Sequence, residues 1–127
     1  MKQSGPCRAG GATSAASEEA LLLATPDAVL VCCSGGGFAA GVALAVQQAN
    51  PASEVFTVEP AGFDDFARSL VSGKPEKNAR MSGSICDALL ANSPGQLTLA
   101  IGRAQMKGGL VVTDEFLKVY LARPEVV

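Results

Sequence analysis

The stretch Asp27-Ala-Val-Leu-Val-Cys-Cys-Ser-Gly-Gly-Gly-Phe-Ala-Ala-Gly-Val-Ala-Leu-Ala45 decides the fold. Its apolar, partly β-branched run from Ala28 to Cys33 predicts a strand. Gly35, Gly36 and Gly37 stop that strand, and the run from Phe38 to Ala49 predicts a helix that Asn50-Pro51 ends. The helix is apolar on nearly every side until Gln47, the pattern of a buried helix. Strand, glycine turn and helix start together make an anion cradle. Glycines let backbone N–H groups approach a ligand without Cβ atoms in the way. The first helical turn has unpaired donors and a partial positive charge. A phosphate is the natural occupant.

Outward from this unit, helix and strand alternate. Val55 to Glu59 predicts a second strand ending at Pro60, and Asp64 to Ser72 a helix with Gly73 just past its end. Lys74 to Ser84 reads as loop, and Ile85 to Ala91 as a short helix closed by Asn92-Ser-Pro-Gly95. Gln96 to Ile101 and Leu110 to Val112 are strand candidates. Thr113 caps a last helix that carries Asp114 and Glu115 in its first turn. Upstream, Ser14 to Leu23 predicts a helix stopped by Thr25-Pro26. The expected class is α/β, a mainly parallel, helix-covered sheet in one domain over residues 1–127. Ligands of such sheets sit at the carboxyl ends of the strands, where Ser34 to Gly37 falls.

Composition narrows the functions. Hydrophobic residues make up 48% of the 127 and charged residues 17%, which is globular. Net charge is −2 with no basic stripe, which argues against nucleic acid as a partner. No apolar run reaches the roughly 18 residues of a membrane span. Met1-Lys-Gln-Ser-Gly-Pro6 has no apolar signal core, so a cytoplasmic location is expected. Histidine is absent, which removes Ser-His-Asp and Cys-His catalysis and imidazole metal ligation. Cys7, Cys32, Cys33 and Cys86 have no C-x-x-C spacing and read as small buried hydrophobes rather than redox or zinc groups. Cys32 and Cys33 adjoin in one strand and so point to opposite faces.

Two ligands fit the glycine turn. Gly35-x-Gly37-x-x-Ala40 also matches the dinucleotide fingerprint in its Ala-ending form, with Glu59 near the expected ribose-binding position. A nicotinamide-binding Rossmann unit is therefore the alternative to a simple phosphate cradle.

The remaining motifs separate the two. Val58-Glu59-Pro60 with the Asp64-Asp65 pair follows the second strand. Arg68-Ser69-Leu70-Val-Ser-Gly73, Ser84-Ile-Cys-Asp87-Ala-Leu89 and Gly109-Leu-Val-Val-Thr-Asp114-Glu115 follow in order. With the glycine loop and Ala9-Gly-Gly-Ala-Thr13, the series resembles the threonine/serine dehydratase group of fold-type II pyridoxal-phosphate enzymes, which includes serine racemase. The resemblance runs from about Ala9 to Lys118 and implies part of a tryptophan synthase β-like domain.

It implies that Ser34, Gly35, Gly36 and Gly37 wrap the phosphate of pyridoxal 5′-phosphate. Ser34 replaces the family's first glycine, and its hydroxyl is itself a donor. It further implies that Glu59, the Phe63 carbonyl and Asp65 form a divalent-cation site. These hard oxygen ligands suit Mg²⁺ or Ca²⁺; the plain alternative is a solvated Glu59 and a helix-start Asp65. The chain also departs from the family. The cofactor-carrying lysine lies in an S-x-K-x-R segment before the glycine loop. None of Lys2, Lys74, Lys77, Lys107 and Lys118 has that context. The segment that binds the substrate carboxylate also has no counterpart. The expected function is a fragment of an ammonia-lyase that converts a hydroxy amino acid to a 2-oxo acid and ammonia. It would hold the phosphate cradle but no catalytic residue, and would self-associate through uncovered apolar faces. A dinucleotide-binding domain and a non-catalytic remnant are the alternatives.

Overall fold

A computed structural model describes residues 25–123. The expected helix Ser14–Leu23, the Ala9–Thr13 segment, Lys2 and Cys7 lie outside the described residues. Three parallel strands form a sheet in sequence order: β1 (Ala28–Cys32), β2 (Glu54–Pro60) and β3 (Gly108–Val112). The register pairs Val31 with Thr57 and Thr57 with Gly109. Parallel neighbours need crossovers, which are supplied by α1 (Gly37–Ala49), then by α2 (Asp65–Ser72) and α3 (Gln96–Gln105). A final helix, α4 (Asp114–Leu121), begins at Thr113, whose hydroxyl accepts from the Phe116 N–H at 3.2 Å as expected of a cap.

The strand alternation assigns one face of the sheet to the core. Val31, Cys33, Val55, Thr57 and Glu59 are buried on it. α1 packs Ala39, Val42, Ala43 and Val46 there, and α2 adds Phe66. On the other face Leu30 is 61% and Leu110 43% exposed, and Cys32 is exposed. Parallel sheets ordinarily carry helices on both faces; among the described residues the core cluster forms on one. α1 therefore buries a single stripe rather than its whole surface, and Phe38 and Leu44 are exposed. The cysteines expected in the interior divide accordingly: Cys33 is buried, Cys86 half-buried and Cys32 exposed.

Two expectations are corrected. Gln96 to Ile101 is the first part of helix α3, not a strand. The alternation of Leu97, Leu99 and Ile101 mimics a strand, but the buried positions are Leu99 and Gly102, a helical spacing. Gly102 makes this helix fit, since a Cβ there would lie 2.8 Å from the Phe66 ring. Ile85 to Ala91 holds only a 3-10 turn at Asp87–Leu89. Its backbone is engaged elsewhere: the Ile85 N–H donates to Asp114 Oδ2, the Ala91 N–H to Ser34 Oγ, and the Ala91 carbonyl accepts from Asn78. These groups are lost to any helical ladder.

The approach of α2 to β3 depends on Gly109. A Cβ there would sit 2.4 Å from the Ala67 Cβ and 2.8 Å from Thr57 Oγ1. Gly109→Ala is expected to destabilise the chain by about 1–3 kcal/mol, as overpacking does. In urea the midpoint should fall with an unchanged slope. An unchanged midpoint would mean that α2 does not lie against β3 in this way.

Candidate functional site

The Cys33 N–H donates to the Val58 carbonyl at 3.0 Å and carries the β1–β2 ladder one residue past β1. The chain then turns through Ser34 and Gly35 to Gly36, which holds φ 95° and ψ −5°, the left-handed region that glycine enters freely. A Cβ on Gly36 would lie 2.3 Å from Phe66 Cε2 and 2.8 Å from Thr98 Oγ1. The inner side of the loop is thus sealed by those two side chains. On the outer side the geometry reverses: a Cβ on Gly35 or Gly37 would meet nothing within 4 Å. The first turn of α1 has no capping side chain and no acidic residue. Its N–H groups have no intrahelical acceptor and carry the positive end of a 13-residue helix.

Ser34 completes this surface. Its Oγ accepts from the Ala91 N–H at 3.2 Å, which leaves the hydroxyl hydrogen free to donate. Ser34, Gly35, Gly36 and Gly37 thus lie together in the turn between β1 and α1, where the sequence motif puts them. Backbone N–H groups and a hydroxyl at a helix start are donors of the kind that suit an anion with several oxygens.

The two carboxylates are not solvated. Glu59 and Asp65 are each 0% exposed. Glu59 reaches across the turn to α2, where Oε1 accepts from the Phe66 N–H at 2.9 Å and Oε2 from the Ala67 N–H at 2.7 Å. It caps the helix that Asp64, at the N-cap, does not cap with its own side chain. Asp65 Oδ1 accepts from Asn78 Nδ2 at 2.6 Å, and Asp65 Oδ2 is buried with no partner among the described residues. Burial pushes Glu59 up to about 7 against the pull of the two amides, and neighbouring Asp65 and Asp64 push the same way. Burial also raises Asp65, opposed by Asn78. The Cys33 thiol beside them is raised by burial and then by both carboxylates, so it stays protonated.

Phe63 is buried in the turn between the carboxylates and lies under the Arg80 guanidinium, 5.6 Å from its ring centre. Among the described residues no group of three His, Cys, Asp or Glu side chains is arranged to hold a metal ion. A cation here would need a backbone carbonyl as third ligand.

Sequence reasoning missed the supports. Asn78 donates to Asp65 and to the Ala91 carbonyl and accepts from Arg68 at 2.7 Å. Gly95 and Thr98 both bond the Gly35 carbonyl. Pro94-Gly95 followed by Thr98 was a legible signal for a helix start. Lys107 pairs with Glu54 at 3.3 Å, at the amino end of the sheet and opposite the cradle.

With this geometry in place, residues 6–119 match the profile of the pyridoxal-phosphate dependent enzymes. The chain belongs to this family. It is 36% identical over 80 residues to serine racemase of Dictyostelium discoideum, covering 62% of this chain and 24% of that one. Phenylserine dehydratase of Ralstonia pickettii is 38% identical over 79 residues, with the same shares. The solved structure of a threonine deaminase from T.th. superposes with a TM-score of 0.74 at 34% identity, covering 82% of this chain and 37% of that one. The chain thus spans about a quarter of the length of the curated relatives it matches. Family membership sets the dinucleotide reading aside, and the fold is a portion of the fold-type II architecture.

The carboxylates give the chain a pH dependence of defined sign. Glu59 has a folded-state value above the ordinary 4.5, so protonation accompanies folding. Its contribution to stability is complete below about pH 4.5 and is lost as pH rises through about 7. Asp65 acts in the same sense. Urea unfolding in the presence of a chelator should show stability falling across this window. Glu59→Gln should flatten the slope at some cost in overall stability. A wild-type profile that rises across the window would contradict this account of the buried pair.

Proposed function

We propose that this chain forms the cofactor-phosphate-binding part of a pyridoxal-phosphate-dependent enzyme acting on hydroxy amino acids, an ammonia-lyase or racemase. The observation that carries the reading is the glycine loop after β1, sealed inside by Phe66 and Thr98 and open outside. The relatives' names, serine racemase, phenylserine dehydratase and threonine deaminase, support the substrate class. When bound, the cofactor supplies the electron sink for chemistry at the substrate's α-carbon. The chain's own residues would hold its phosphate: the N–H groups of Gly35, Gly36 and Gly37, and the Ser34 hydroxyl. The amine that carries the cofactor and moves the α-proton would come from protein outside these 127 residues. On this reading the isolated chain binds phosphate but does not deaminate serine or threonine.

Calorimetric titration with pyridoxal phosphate tests the binding. Ser34→Ala should weaken it about tenfold, the scale of one hydrogen bond to a charged group. Gly36 is unsuited to this test, because its φ and its contact with Phe66 would make any side chain a folding defect. Oxo-acid production should not exceed that of free cofactor. A rate well above that control, with a borohydride-reduced adduct on one lysine, would overturn the non-catalytic part of the reading.

We further propose that Glu59, Asp65 and the Phe63 carbonyl hold Mg²⁺ or Ca²⁺. The unpartnered, buried Asp65 Oδ2 supports this, since an unsatisfied buried carboxylate oxygen is costly. A cation that binds only the folded chain raises its stability logarithmically with concentration. Mg²⁺ or Ca²⁺ should therefore raise the melting temperature of the wild type and not of Asp65→Ala. Equal shifts in both would assign the effect to nonspecific ions.

The same reading includes self-association through the open sheet face around Leu30 and Leu110. It also includes a reducing, cytoplasmic setting, with which the unpaired Cys32, Cys33 and Cys86 agree. No described helix is long and apolar enough to cross a membrane.

A further inference from the structure

The Gly35 carbonyl accepts from the Gly95 N–H at 3.1 Å and from the Thr98 hydroxyl at 2.8 Å. Both donors stand at the start of α3, whose N-cap is Gly95. In a planar trans peptide the carbonyl and the following N–H point in opposite directions. Pinning the Gly35 oxygen toward α3 therefore turns the Gly36 N–H away from α3. Space is open beside this peptide, since a Cβ built on Gly35 or on Gly37 would meet nothing within 4 Å. The pin matters because the peptide lies between two glycines. Glycine enters positive and negative φ about equally well, so this peptide has little intrinsic preference for one orientation. Flipped, it would present a carbonyl oxygen to an incoming anion.

We propose that Thr98 is a positioning residue for the cradle. Its hydroxyl, with the Gly95 N–H, holds the Gly35–Gly36 peptide so that the Gly36 N–H faces the phosphate. The inference rests on the reading of Ser34 to Gly37 as the phosphate site. It adds that the site's affinity is set by a side chain 61 to 64 residues further along the chain. The same segment supplies a second brace, since the Ala91 N–H donates to Ser34 Oγ. Residues 91 to 98 thus fix the loop at two successive positions. The one hydroxyl hydrogen has a second acceptor within reach, the Gly95 carbonyl at 3.0 Å; the Gly35 carbonyl at 2.8 Å is the nearer of the two.

The test uses the full 127-residue chain with inorganic phosphate and pyridoxal phosphate as probes. Thr98→Val keeps the shape and removes the hydroxyl; Thr98→Ser keeps the hydroxyl. Calorimetry should show phosphate affinity about tenfold weaker in the valine variant, the scale of one hydrogen bond to a charged group, and restored in the serine variant. The Gly36 amide resonance of the wild type should shift on phosphate addition and should respond much less in the valine variant. A purely structural role would lower the melting temperature without changing the affinity of the folded molecules. Equal affinity in wild type and valine variant would overturn the positioning role and leave the phosphate site standing. Loss in both variants would assign the effect to shape rather than to the hydroxyl. A wild type that binds neither probe would overturn the site itself. If the valine variant fails to fold, the wild-type spectrum still decides: a Gly36 amide unmoved by phosphate while that of Gly37 shifts rules the proposal out.

Discussion

The packing of one ring, Phe66, against two glycines holds the carboxyl end of the sheet together. Phe66 is fully buried, and its ring lies where Gly36 and Gly102 would otherwise carry Cβ atoms. Its own N–H is held by Glu59. The residue therefore fixes three elements at once: the loop entering α1, the helix α2 that bears it, and the middle of α3. A buried aromatic of this size contributes about 1.5–3 kcal/mol through burial alone. Its larger effect is geometric. With the ring in place the inner side of the loop is filled, while a Cβ on Gly35 or Gly37 would still meet nothing within 4 Å.

Beneath the loop the interior is unusually polar. Thr57, Glu59, Asp65 and Ser69 are each fully buried, and Thr57 Oγ1 and Asp65 Oδ2 have no partner among the described residues. Apolar side chains would fill this space with less desolvation, because a buried charge costs several kcal/mol unless it is well paired. Glu59 meets that condition through two helix amides. Asp65 meets it only in part, through Asn78. A core optimised only for stability would not leave such an oxygen uncompensated. Glu59 and Asp65 flank the carboxyl end of β2, the end at which ligands of parallel sheets gather.

Much of this was legible in the sequence where one residue type forces one geometry. Three consecutive glycines between an apolar strand and an apolar helix placed the β1–α1 turn, and Gly73 and Thr113 marked helix ends correctly. The reading failed where tertiary contacts overrode local pattern. Leu97, Leu99 and Ile101 alternate like a strand, yet α3 forms because Gly102 accepts the Phe66 ring, a partner 36 positions earlier in the chain. Glu59 was legible as a carboxylate near a site but not as the cap of α2, because the capping amides belong to residues seven and eight positions later. Thr98 gave no signal as a brace. Its partner, the Gly35 carbonyl, is a backbone atom that carries no sequence signature.

The cradle and the open sheet face are physically independent. The loop is held by the Val58 carbonyl, by the Phe66 ring and by bonds from Ala91, Gly95 and Thr98. The exposed Leu30 and Leu110 lie on the other face of the sheet, since alternate strand residues point to opposite faces. Whatever covers the open face would raise stability through apolar burial without redirecting the loop. Anion binding by such a loop needs only backbone donors held in place, which is a local requirement. Proton transfer at the α-carbon needs an amine held beside the substrate. Lys107, held to Glu54 at the amino end of the sheet, stands at the wrong end to provide it.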